Sequence, residues 1–177
     1  MGILDDFKGK DFERIGDGTY PARIVNVIDL GEQENTFEGE TKIQDKVWIE
    51  FELPTETITI DGTDKPRWLG KEFTKSTNKN ALLMKVLNAL YTPKELEEVE
   101  SFKDLVGKAL LIEIGETAGG KDKWIGSSKL MKGMTVPELV NTPKYFDLEN
   151  PDQEVFDSLP NFLQDKIGLT KSDKVPF

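Results

Sequence analysis

Asn78-Lys-Asn-Ala-Leu-Leu-Met-Lys-Val-Leu-Asn-Ala-Leu-Tyr91 differs in period from everything around it. Leu83, Val86, Leu87 and Leu90 recur at spacings of three and four, the signature of one apolar helical face. Ser76, Thr77 and Asn78 offer capping oxygens, and Thr92-Pro93 stops the pattern. Upstream the period is two. Thr41–Leu53 sets Val47, Ile49, Phe51 and Leu53 on one face, with Lys46, Trp48, Glu50 and Glu52 on the other. Before it, Tyr20–Leu30 is rich in β-branched residues and reads as a first strand, while Gly31–Glu40 reads as a long polar loop. A short strand is expected at Thr57–Ile60 and a third main strand at Arg67–Lys75.

Downstream, Pro93–Glu100 is a second short helix with Thr92 as cap and Pro93 at its first position. Ser101–Gly107 reads as a capped turn. Lys108–Glu116 alternates Leu110, Ile112 and Ile114 inward, Gly119-Gly120 turns the chain, and Lys123–Lys132 returns as the last strand. Three strands, a helix and two strands predict a mainly β fold: a five-stranded OB-fold Greek-key barrel with its helix between strands three and four. A twisted α+β sheet is the structural alternative. Around this domain, residues 18–134, stand an N-terminal arm (1–17) and a C-terminal tail (135–177). The tail has five prolines, and its eight acids against four bases make it acidic. It reads as extended, with one short helix near Pro160–Ile167 that presents Phe162, Leu163 and Ile167 and is capped by Ser158 or Asn161; residues 155–167 are expected to pack on the barrel and those after Gly168 to be mobile.

The composition restricts the chemistry. The 177 residues include no Cys and no His, which excludes disulfides, thiolate metal sites, imidazole zinc sites and His-based nucleophile systems. Neither a phosphate-loop nor a dinucleotide-binding glycine motif is present. A nuclease set drawn from Glu50, Glu52, Asp61, Glu72 and Lys75 is readily assembled by chance in a chain that is 32% charged, so the expectation is a non-enzyme that needs no cofactor or metal. The start has no basic region followed by an apolar stretch, and no apolar run approaches the roughly 20 residues of a membrane span. A cytoplasmic protein with no membrane partner is therefore expected.

Net charge is -10, but the bases are clustered. Lys65, Arg67, Lys71, Lys75 and Lys79 face only Glu72 in one segment. Lys121, Lys123, Lys129 and Lys132 face only Asp122 in another. Aromatic residues are interleaved: Trp68 and Phe73 in the first, Trp124 in the second, Trp48 beside Lys46, and Phe37 in the expected loop. Cations follow phosphates and flat rings stack on unpaired bases, so the combination favours single strands over duplex. The candidate nucleic-acid contacts are Phe37, Lys46, Trp48, Arg67, Trp68, Lys71, Phe73, Lys75, Lys121, Lys123, Trp124 and Lys129. Lys71, Lys75, Lys121 and Lys123 are expected along one groove. A different class, an acidic interaction protein such as a host-protein inhibitor or DNA mimic, would instead show a continuous carboxylate surface.

Several blocks carry a resemblance: Gly18-Thr-Tyr-Pro-Ala-Arg-Ile24, Val47-Trp-Ile-Glu-Phe-Glu-Leu53, the basic third strand, Phe102-Lys-Asp-Leu-Val-Gly-Lys108, Lys123-Trp-Ile-Gly126 and Leu159-Pro-Asn-Phe-Leu-Gln-Asp-Lys-Ile167. Together they resemble small bacteriophage single-stranded-DNA-binding proteins. That resemblance implies an OB-fold and protection of single strands during phage DNA replication or recombination, in the host cytoplasm. Ser172-Asp-Lys-Val-Pro-Phe177 is similar to the tip of bacterial single-stranded-DNA-binding proteins, which implies docking of phage or host replication and recombination proteins through Pro176 and Phe177. Lys171 and Lys174 depart from that acidic pattern.

Overall fold

The computed structural model describes residues 13–76 and 78–168. Two long strands dominate it, β1 (Gly18–Phe37) and β2 (Glu40–Ile60), followed by β3 (Thr63–Thr74). Helices α1 (Leu82–Leu90) and α2 (Pro93–Glu98) and a single 3₁₀ turn (Phe102–Leu105) lead to β4 (Ala109–Glu116) and β5 (Asp122–Ser128). A sixth strand, β6 (Lys144–Phe146), and helices α3 (Gln153–Ser158) and α4 (Asn161–Gly168) complete the described chain. The fold is mainly β, with six strands rather than the five expected. The antiparallel order is β3-β2-β1-β4-β5, and β6 lies parallel beside β1. The rings of Phe73 on β3 and Trp124 on β5 meet edge-to-face, 5.0 Å apart, so the two edge strands face one another across the core.

The expected loop at Gly31–Glu40 is absent. β1 continues to Phe37 and pairs with β2 down to Phe37 opposite Glu40. The turn needs only Glu38 and Gly39, with φ of 51° and 80°. Asp61 and Gly62, with φ of 51° and 79°, make the same two-residue turn between β2 and β3. Positive φ at both central residues is the type I′ requirement, whose twist matches that of paired strands.

The helical reading of Asn78–Tyr91 is correct in kind and too long at its start. α1 begins at Leu82 after Ala81, which makes no side-chain cap bond; Asn78 instead accepts a bond from the Asn80 amide. Thr77 lies outside the described residues. α2 has the expected cap: Thr92 Oγ1 accepts from the Glu95 amide, and Glu95 answers to the Thr92 amide. One face of the sheet, with Ile24, Val27, Val47, Ile49, Phe51, Phe73, Ile112 and Trp124, packs against Leu83, Val86 and Leu105 as the main core.

The other face is also covered: the packing expected of 155–167 is present and reaches back to Phe146 and Leu148, so this part of the chain is not extended. Ile28 and Leu30 of β1 pack with Phe146, Leu148, Leu159, Leu163 and Ile167 in a second buried cluster, with Trp48 against it. Polar bonds fix this covering segment. Glu52, 2% exposed, accepts bonds from the Val140 and Asn141 amides and from Asn141 Nδ2. Asn26 Oδ1 accepts from the Lys144 amide, Gln33 Nε2 donates to the Lys166 carbonyl, and Lys166 pairs with Glu72 at 2.7 Å. Asp152 caps α3, and Ser158 donates back to Val155 rather than capping the last helix. Residues 169–177, including Pro176 and Phe177, lie outside the described residues, as do residues 1–12 of the arm.

Gly70 shows how close this covering is. A Cβ added there would sit well inside the van der Waals surface of the Trp48 indole. Trp48 in turn meets Phe162 edge-to-face at 5.2 Å. Gly70→Ala should push the indole off β3 at a cost of about 1–3 kcal/mol. Limited proteolysis checks this: cleavage within 140–168 should accelerate in the variant, and unchanged cleavage would mean that Trp48 moves without disturbing the segment over it.

Candidate nucleic-acid interface

Beside the end of β3 a polar cleft of about 510 Å³ opens between the sheet and the turn that leads into α1. Lys46, Lys71, Glu72, Gln44, Asn78 and Asn80 contribute its polar chemistry, with Phe73 and Leu82 among its apolar walls. Lys46 is opposite Thr74 in the register and donates to Thr74 Oγ1 at 2.6 Å. Lys71 is opposite Ile49, on the face of β3 that carries Leu69 and Phe73. Its ammonium lies 5.6 Å from the Phe73 ring centre and 6.0 Å from that of Trp124. Burial pushes the Lys71 amine below the ordinary lysine value, Glu72 opposes this, and the charges of Lys46 and Lys123 lower it further. Lys71 thus feels the charges of Lys46 on β2 and Lys123 on β5, of which only Lys46 lines the cleft with it.

The remaining expected contacts are distributed differently. Phe37, 73% exposed, stands at the tip of the β1–β2 arm, and Lys42 and Gln44 share a surface recess with it. Gln44 borders both that recess and the cleft. Lys121 and Lys123 are exposed on the β4–β5 hairpin, with Lys121 in its turn. Trp68 is half exposed, on the face of β3 that carries Gly70 and Glu72. Arg67 donates to the Glu13 carbonyl at 2.7 Å, holding the chain entry rather than lining the cleft. Lys129 is exposed, and its charge acts on Glu95 at the start of α2.

Three expected base platforms are occupied in packing. Trp124 is 3% exposed and Phe73 1%, and they stack on each other; Trp124 Nε1 donates to Ser127 Oγ at 2.9 Å. Period two places a residue on a face but does not say which face is dry, and the bulge at Glu113/Ile114 turns Trp124 into the core. Trp48 does occupy the face opposite Val47 and Ile49, but that face lies beneath the covering segment. Its indole donates to Glu50 Oε1 at 2.9 Å and its ring is covered by Phe162. Glu50 and Glu52 are likewise committed to Asn26, Trp48, Val140 and Asn141. Asp61 is in the β2–β3 turn, and no group of three acids among the described residues is arranged to hold a metal ion.

Lys75 does not share the groove of Lys71. It lines a second cleft, of about 500 Å³, among Asp29, Asp45, Glu100 and Asp147, and pairs with Asp29 at 2.8 Å and Asp45 at 3.4 Å. Burial lowers its pKa, but the bond to Asp29 and the charges of Asp29 and Asp45 outweigh that, so the net direction is upward. A raised lysine contributes stability that is whole below the unfolded value of about 10.4 and is lost as pH climbs through the folded one. Asp29→Asn should cost about 1–3 kcal/mol at neutral pH. In urea titrations that gap should persist down to mildly acidic pH and close in strong alkali. A gap that closed between pH 7 and 9 would contradict the assignment.

Gln44, Asn78 and Asn80 were not among the sequence candidates. The signal for Gln44 was its parity with Lys46; none distinguishes Asn78 and Asn80 from helix caps. No helix among the described residues is long and apolar enough to cross a membrane. Compared with protein-family models, curated proteins and solved structures, the chain matches none.

Proposed function

We propose that the chain binds single-stranded DNA with little sequence preference, on an OB-type scaffold, and protects it during phage replication or recombination. It acts as a binding protein without catalysis. The observation that carries this reading is a cleft lined by Lys46 and Lys71 together with the side-chain amides of Gln44, Asn78 and Asn80, in a protein of net charge -10. The strand order, with β3 and β5 flanking and helices between β3 and β4, suits an OB barrel, whose second and third strands and last hairpin bind oligonucleotides. Phosphates occupy the lysine cleft, and Phe37 at the end of the adjoining arm stacks on a base.

The acidic surface around Asp29, Asp45, Glu100 and Asp147 favours a second reading, in which the chain engages a basic protein partner and no DNA. Anisotropy titrations with oligo-dT and with duplex at several salt concentrations separate the two. Single strands should bind more tightly than duplex, with log K falling by about 0.7 per phosphate contact for each decade of salt. Absent or equal binding of the two forms favours the second reading. Phe37→Ala should weaken oligo-dT binding by about 1–3 kcal/mol with no change in melting temperature, since the ring is exposed and contributes little to packing.

A further inference from the structure

We propose that the outer edge of β2 in the arm pairs with the same edge of a second copy of this chain, joining two arms into one four-stranded sheet. The edge is open. β3 pairs with β2 only as far as Thr74 opposite Lys46. One more bond follows, from the Lys75 amide to the Asp45 carbonyl, and the chain then leaves for α1. That bond fixes the backbone direction. Asp45 turns its carbonyl away from β1, so at period two Ile43 and Thr41 turn N–H and C=O the same way. The Thr36 and Thr41 hydroxyls agree, lying 3.1 Å apart, because opposed side chains come closest where the two residues exchange no backbone bonds. Among the described residues no strand takes up Ile43 and Thr41 on that side. Ile43 is 58% exposed, and Glu40 and Lys42 are exposed with no ion pair among the described residues.

An unpaired edge is a template for another strand. Register and charge select the second copy. Two antiparallel copies about a two-fold axis can exchange bonds between Thr41 and Thr41, Thr41 and Ile43, or Ile43 and Ile43. Only the first clears Lys75: the Glu38-Gly39 turn of the second copy ends beside Ile43 and Gln44. In the other two, Gly39 or Thr41 of the second copy meets Asp45, where Lys75 already sits. The first register also sets Lys42 opposite Glu40 of the second copy, twice by symmetry, whereas the next would oppose Lys42 to Lys42. The axis is perpendicular to the sheet, so both Phe37 rings stay on one face, with Glu40 and Lys42. The pairing does not depend on the DNA reading. A short edge and a net charge of -10 keep the association weak.

The test is sedimentation of the full chain, without DNA, over a range of concentrations. A reversible monomer–dimer equilibrium is expected, with the dimer populated at the high end. Thr41→Pro removes an outward N–H and no bond of the hairpin, so association should be lost at an unchanged melting temperature. Lys42→Glu turns both cross-copy pairs into like charges and should weaken the dimer about tenfold or more. Adding Glu40→Lys to that variant makes each pair opposite in charge again and should recover most of the loss. This reversal tests the register even if Thr41→Pro does not fold. A chain that stays monomeric at every concentration overturns the proposal and leaves the edge to a strand of another protein. So does a dimer indifferent to Thr41→Pro, or a loss in Lys42→Glu that the double reversal does not recover.

Discussion

Trp124→Ala should destabilise the protein by about 3–5 kcal/mol, the usual range for emptying a large aromatic site in a core. The side chain is 3% exposed, packs edge-to-face on Phe73, and satisfies its indole N–H on Ser127. Phe73 and Trp124 are the contact through which the edge strands β3 and β5 face each other, and few neighbours can collapse into the space between two sheet edges. Urea denaturation reads the loss directly. Trp124→Phe separates packing from recognition: it keeps an aromatic ring against Phe73, so most of the stability should return and oligo-dT affinity should be unchanged. A large loss of DNA affinity in Trp124→Phe at near-normal stability would show that the indole reaches nucleic acid, against its place in the core.

The succession of three strands, a helix and two strands along the chain was legible because their apolar residues keep one period each. Val47, Ile49, Phe51 and Leu53 are all buried as their alternation requires, and so are Leu83 and Val86 of α1. The β1–β2 arm was not legible, because Glu32–Phe37 and Glu40–Asp45 are mostly exposed on both faces and leave no alternation to read. Its turn was hidden as well, since Glu38 takes a φ more usual for Asn or Asp. The covering segment left a signal in its own apolar residues, Phe156, Leu159, Leu163 and Ile167, and a further one in β1. Ile24, Val25, Val27, Ile28 and Leu30 are all buried, and a strand apolar on both parities must be covered on both faces. Phe146, Leu148, Leu159, Leu163 and Ile167 supply that second cover, although five prolines gave 135–177 the texture of a tail. The same cover closes over Trp48, while Phe73 and Trp124 are held in the main core, so three of the five aromatic candidates are engaged in packing. Parity correctly put Trp48 opposite the main core, but its face is dry. The lysines fared unevenly for a related reason: sequence places Lys71 and Lys75 on the same face of one strand, while the acids that claim Lys75, Asp29 and Asp45, come from β1 and β2.

Replacing Lys71 and Lys123 with Glu should have the largest effect on binding. Lys71 lines the cleft and Lys123 is exposed on β5, and neither is paired to a carboxylate among the described residues, so each is available to a phosphate. Losing a charged hydrogen bond costs about 1.5–3 kcal/mol, roughly ten- to a hundredfold in Kd for each contact. The dependence of log K on log salt should flatten by about 0.7 for every phosphate contact removed. An acidic protein binding a polyanion is sensitive to total charge, so the comparison must hold that constant. Lys65→Glu with Lys132→Glu makes the same change in net charge at exposed positions outside the cleft. If the cleft is the phosphate contact, this control shifts affinity slightly for all oligonucleotides and leaves the slope intact, while Lys71→Glu with Lys123→Glu loses affinity and slope together. Lys71→Glu also places a partly buried carboxylate over the Phe73 and Trp124 rings, so its melting temperature should fall below that of the control, and affinities are compared at a temperature where both variants are folded. Equal losses of affinity in both pairs would reduce the effect to overall charge and remove the cleft from the binding site.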